Sequence, residues 1–120
     1  MTATLKVLPA ITARVDTTVV AGSELWGNRI VVNPTNQTLH FRCVSEIRDS
    51  NGTLQKSWEI YGYLDAGEVW NKRGHIYIPT WASSGEYTYV AVLYNADTGD
   101  ELDECSVNFT VIGLNYERIQ

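Results

Sequence analysis

Along most of the chain, apolar side chains recur at every second residue, the repeat of a pleated strand rather than of a helix. Residues 38–48 carry Leu39, Phe41, Cys43 and Ile47 in one phase and His40, Arg42 and Glu46 in the other, with Val44 out of step. Residues 101–112 alternate most cleanly, with Cys105, Val107, Phe109 and Val111 set against Glu104, Ser106, Asn108 and Thr110. Such alternation predicts strands with one face on a core and the other on solvent. The same reading predicts strands at 12–20, 29–33, 53–63, 69–78 and 86–94. That makes about seven, with turn signals every 8 to 12 residues, the pattern of a two-sheet antiparallel sandwich.

The segments between them hold turn chemistry. Asp49-Ser50-Asn51-Gly52 contains an Asn-Gly pair that tolerates positive φ and suits a tight hairpin. Asp65-Ala66-Gly67-Glu68, Ser83-Ser84-Gly85 and Asn95-Ala96-Asp97-Thr98-Gly99 break the alternation at three further places. Pro79 lacks an amide hydrogen and ends the strand before it. At 120 residues there is room for one domain. It is placed at 11–112, with 1–10 an N-terminal arm or edge strand and 113–120 a C-terminal tail.

Composition removes several classes of function. Apolar runs such as residues 90–93 are far shorter than the roughly 18 residues of a membrane-spanning helix. The first ten residues lack the continuous apolar stretch of a secretory signal. A net charge of −5 with no basic run argues against nucleic acid, whose phosphates require Lys and Arg.

Cys43 and Cys105 both fall on the apolar phase of their strands. A disulfide requires Cα atoms within about 7 Å. Both a bridge and two buried free thiols fit the pattern, and the thiols are the favoured reading. Two cysteines so far apart in sequence do not resemble a zinc knuckle.

Candidate chemistry is sparse. Asp97-Thr98-Gly99 matches the tripeptide of aspartic proteases, but its polar surroundings read as a hairpin loop. Asp100, Glu101, Asp103 and Glu104, or Asp49 with Asn51, have oxygens for calcium yet lack the ligand spacing of a known loop. His40 and His75 sit among polar neighbours and read as surface residues. No nucleophile, base and oxyanion donor can be assembled, so the chain reads as no enzyme, with no catalytic residue, metal or cofactor.

The aromatic residues are more informative. Trp58, Trp70 and Trp81, with Tyr61 and Tyr63, are the interaction candidates, because large amphipathic rings dominate protein interfaces. Such rings also stack on sugars, although no other feature supports a carbohydrate ligand. At least one tryptophan is expected inside the sandwich, and Trp81 is expected to be exposed on a loop.

Seven segments together resemble a known group: Ile30-Val31-Val32-Asn33, Asp49-Ser50-Asn51-Gly52, Leu64-Asp65-Ala66-Gly67-Glu68, Ile78-Pro79, Ser84-Gly85-Glu86-Tyr87, Tyr94-Asn95-Ala96-Asp97-Thr98-Gly99 and Phe109-Thr110-Val111. They are similar to the prokaryotic and viral immunoglobulin-like, fibronectin-III-like modules of cell-adhesion-related proteins, over about residues 15–112. The resemblance implies an immunoglobulin-like sandwich that serves as a spacer, adhesion unit or virion decoration, and it carries no site. A weaker similarity is to bacterial intracellular proteinase inhibitors.

The expected function is therefore a non-catalytic structural and interaction module. A phage capsid decoration or cement subunit comes first, with capsid or other assembly subunits, or further copies of itself, as partners. An adhesion or spacer domain of a larger prokaryotic cell-surface protein comes second and a proteinase inhibitor third. The expected location is the virion or cell surface.

Overall fold

The computed structural model describes residues 8–114, which form eight strands and no helix. These are β1 (Ala10–Val15), β2 (Thr18–Val20), β3 (Glu24–Val32), β4 (Leu39–Arg48), β5 (Leu54–Leu64), β6 (Val69–Tyr77), β7 (Gly85–Asn95) and β8 (Glu101–Ile112). A three-stranded sheet in the order β1-β3-β6 packs on a five-stranded sheet in the order β2-β8-β7-β4-β5. The protein is an all-β, immunoglobulin-like two-sheet sandwich.

The expected single strand at 12–20 is two strands, which raises the count to eight. β1 pairs antiparallel with β3 in the small sheet, whereas β2 pairs parallel with β8 in the large one. One ladder is therefore parallel in a sandwich expected to be antiparallel throughout. The changeover lies at Asp16 and Thr17: the Asp16 N–H donates to the Trp26 carbonyl, and the Thr17 carbonyl accepts from Thr110. Val15 and Val19 are in phase and both face the core, so the alternation of two runs through the switch and conceals it.

β3 also begins five residues earlier than its expected start at Arg29. Its inward positions read Leu25, Gly27, Arg29 and Val31, so a glycine and an arginine interrupt the apolar phase. Pairing with β1 on one side and β6 on the other keeps the segment extended nonetheless. The expected arm and tail lie mostly outside the described residues; Ala10 already belongs to β1.

The core is built by alternation on the two facing sheets. Ile11 and Val31 from the small sheet meet Phe41, Cys43, Leu93, Phe109 and Val111 from the large one, all almost fully buried. β4 shows why residues 38–48 read so clearly, since its burial alternates without a break along all ten residues. Ser45, on the inward phase, is the polar exception. Its hydroxyl lies 2.7 Å from the Tyr89 hydroxyl and accepts from Arg29 at 3.2 Å.

Asn33 closes one end of the sandwich and is 1% exposed. Its amide donates to the carbonyls of Gln37, Leu64 and Asp65, and its Oδ1 accepts from the Thr35 hydroxyl at 2.6 Å. One side chain thereby ties the loop after β3 to the loop after β5.

The β4–β5 hairpin does not use the two-residue turn suggested by Asn51-Gly52. Only Gly52 has positive φ, at 81°, while Asn51 does not. The Gly52 N–H donates to the Asp49 carbonyl, and the Asp49 carboxylate accepts from the Asn51 and Thr53 amides. The carboxylate organises a longer loop in which glycine alone takes the left-handed position.

The two cysteines are free. Cys43 pairs with Leu93, and Cys105 with Ala91, so β7 stands between their strands. Two strand spacings separate them by roughly 10 Å, beyond the reach of a disulfide. Burial is the main cause that raises both thiol pKa values, that of Cys105 to about 11 with help from Cys43 and Asp103. Both are protonated at neutral pH and poor nucleophiles.

Candidate interaction face

The outward phase of the five-stranded sheet is unlike an ordinary solvated surface. β4 presents His40, Arg42 and Val44, β5 presents Tyr63 and Tyr61, and β7 presents Tyr94 and Val92. The register sets His40 opposite Tyr63, Arg42 opposite both Tyr61 and Tyr94, and Val44 opposite Val92. Val44, out of step in the expected core phase, belongs here, beside Val92, the pair standing between Glu59 of β5 and Glu104 of β8.

Neighbouring polar groups hold these rings in place. His40 stacks on Tyr63 with ring centroids 4.2 Å apart and planes 5° from parallel. The other side of the imidazole is held by Asp97, whose Oδ1 lies 2.8 Å from Nδ1. The Arg42 Nε donates to Glu59 at 2.7 Å, and its guanidinium lies 5.1 Å from the centre of the Tyr94 ring. Tyr61 and Tyr63 nevertheless remain 54% and 69% exposed. The stack on His40 orients Tyr63, and Tyr61 lies 6.2 Å from the same imidazole, so a partner meeting this pair loses less rotamer freedom than with unsupported rings.

The five aromatic candidates do not converge on one site. Tyr61 and Tyr63 share the outer face. Trp81 is 77% exposed on the β6–β7 loop. It borders a groove of about 400 Å³ at one end of the sandwich, walled by that loop and the β4–β5 turn. Trp58 and Trp70 point between the sheets, Trp58 against Tyr89 at 5.9 Å and Trp70 against Phe41 at 5.5 Å.

Sequence reasoning missed the supporting residues His40, Arg42 and Tyr94. The available signal was their shared outward phase with the two tyrosines, which becomes useful only once the β4–β5 and β4–β7 pairings are known.

The motifs considered for chemistry are engaged elsewhere. Asp97 holds His40, and its own amide donates to the Asn95 side chain at the hairpin tip. Asp103 accepts the Ile11 N–H at 2.9 Å and so straps β1 to the edge of the large sheet. Among the described residues, no three His, Cys, Asp or Glu side chains cluster where they could share a metal ion.

The architecture has counterparts among solved structures. One is a β-glucuronidase of Bacteroides uniformis, with TM-score 0.68 and 17% identity over 86% of this chain and 13% of that one. Another is a CARDB domain from Pyrococcus furiosus, solved in complex with di-metal ions, with TM-score 0.66 and 16% identity over 87% of each chain. A third is the C-terminal domain of Wzt, with TM-score 0.65 and 10% identity over 88% of this chain and 72% of that one. The chain thus spans about an eighth of the glucuronidase and most of the CARDB domain. At these identities the likeness is one of fold. No family model matches the chain, and no curated protein sequence matches it.

Proposed function

We propose that this chain is a non-catalytic binding module that docks on another protein through the outer face of its five-stranded sheet. The observation that carries the proposal is the pair Tyr61 and Tyr63, more than half exposed yet braced by His40, Arg42 and their acidic partners. Exposed tyrosines make good interface anchors, because they bring large contact area at small entropic cost. The net charge of −5 favours a protein over a nucleic acid as the partner. The setting we favour is a repeating surface, a virion shell first and a cell-surface array second, where many copies of one modest contact add by avidity.

The test is a photoreactive amino acid placed at Tyr63, compared with one at Tyr77 on the three-stranded sheet, in the organism that makes the protein. Position 63 should yield a discrete cross-linked protein that disappears in the Tyr61→Ala, Arg42→Ala background, while thermal stability stays within a few degrees. A product of twice the chain mass would identify the partner as a second copy. Equal cross-linking from both positions, or none from position 63, would refute the proposal.

A further inference from the structure

The inward side of the small sheet is not uniformly apolar. On β3 the inward residues are Leu25, Gly27, Arg29 and Val31. Directly opposite them on β6 stand Ile76, Gly74, Lys72 and Trp70. At Gly27 the space is filled by Arg14 and Val15 of β1, but at Gly74 a Cβ would meet no atom within 4 Å, and this gap is bordered by the paired cations. Trp58 and Tyr89 of the large sheet form the opposite wall, and the space between is a pocket of about 100 Å³.

The charge in this pocket is unbalanced. Like charges directly opposite on neighbouring strands destabilise a sheet, and partial burial of a guanidinium without a counter-ion adds to that cost. Acidic residues outnumber basic ones by 14 to 9 in this chain. Even so, among the described residues no carboxylate lies within ion-pair distance of Arg29 or Lys72, although His40, Arg42, Arg48 and His75 each have one.

Arg29 is nonetheless held in position. Its Nη1 donates to the Ser45 hydroxyl at 3.2 Å and lies 3.8 Å from the Cys43 sulfur, while its guanidinium carbon sits 5.5 Å from the centre of the Trp70 ring. Its other N–H groups have no protein acceptor among the described residues. Among the described residues no fully buried polar side-chain atom lacks a partner, so those groups are not sealed from solvent, and Arg29 lines the pocket.

We propose that this pocket binds a small organic carboxylate. The guanidinium fork fits a carboxylate with two parallel hydrogen bonds, and Lys72 supplies a second positive charge. The Trp58 and Tyr89 walls favour an acid with a flat apolar body over a strongly hydrated inorganic anion. The bound acid supplies the negative charge that the surrounding residues lack.

Benzoate is the probe, followed by tryptophan fluorescence and by thermal shift. Its neutral isostere benzamide, sodium sulfate, and a phenylalanine-terminated tripeptide acid are run in parallel. Benzoate should saturate the signal and raise the melting temperature at concentrations up to about 10 mM, while benzamide and sulfate do neither.

Arg29→Gln should weaken benzoate at least about tenfold. It should not unfold the protein, because it removes an uncompensated charge. Gly74→Val offers a second, independent block: Gly74 lines the pocket and a Cβ there meets no atom within 4 Å, which leaves room for a branched side chain to narrow it. It should abolish benzoate binding with the melting temperature kept or raised.

Equal binding of benzamide would overturn the proposal. So would saturation by sulfate, unchanged benzoate affinity in both variants, or no response to benzoate at all. Binding of the tripeptide acid without benzoate would also overturn it, by assigning the pocket to a peptide terminus.

Discussion

Asn33 shows how much of this fold can rest on one polar side chain. Its amide satisfies carbonyls at both of the connections that cross between the sheets, β3 to β4 and β5 to β6, and its oxygen is used as well. Asn33→Ala would leave the Leu64 carbonyl buried without its side-chain donor, a loss of about 2–3 kcal/mol. Asn33→Asp should cost more, since a carboxylate would face carbonyl oxygens. Urea unfolding should show a lower midpoint with an unchanged slope in both variants. A wild-type midpoint in Asn33→Ala would mean that the loops are held by other contacts. Nothing in the local pattern marks its role: it stands at the end of an apolar run before Pro34, as the last residue of the strand expected at 29–33. Arg29 was hidden for the opposite reason: a charged residue in an inward phase looks like the end of a strand, and only pairing on both sides of β3 shows otherwise.

At the scale of strands, the two-residue period was legible and the pairing was not. β8 was bounded correctly by its alternation alone, and β4 nearly so. β5, expected at 53–63, lies within one residue of that at each end, although as an edge strand it buries little: its inward residues Trp58, Ile60 and Gly62 are only partly covered. The outer face is not legible in the alternation, since His40 and Tyr63 lie 23 positions apart and meet only through the β4–β5 register. Two inward glycines at sheet edges make contrasting predictions. A Cβ at Gly62 would lie 2.7 Å from the ring of Phe41, which is 1% exposed and cannot retreat. Gly62→Ala should therefore destabilise by about 1–3 kcal/mol through overpacking. Gly74→Ala, with open space before it, should be neutral or stabilising. Similar melting temperatures for the two alanine variants would contradict this view of β5 seated on Phe41.

At the scale of the whole molecule, the alternation implied two layers but not the way the chain moves between them. The passage from β1 to β2 keeps one direction while changing sheets, and β2 then runs alongside β8 with the same polarity. Residue 10 accordingly lies at one end of the sandwich and residue 112 at the other. A stretching force between the two ends would load the Thr18–Thr110, Val19–Val111 and Val20–Ile112 ladder in shear, all its bonds together. The Ile11–Asp103 strap would share the load. Tethers at residues 38 and 65, beside the open ends of the β4–β5 hairpin, would instead peel that ladder one bond at a time. An optical trap should record a clearly higher rupture force for the end-to-end geometry, and equal forces would show that the parallel strand bears no tension. A domain wired this way can stay folded while whatever it grips is dragged by flow.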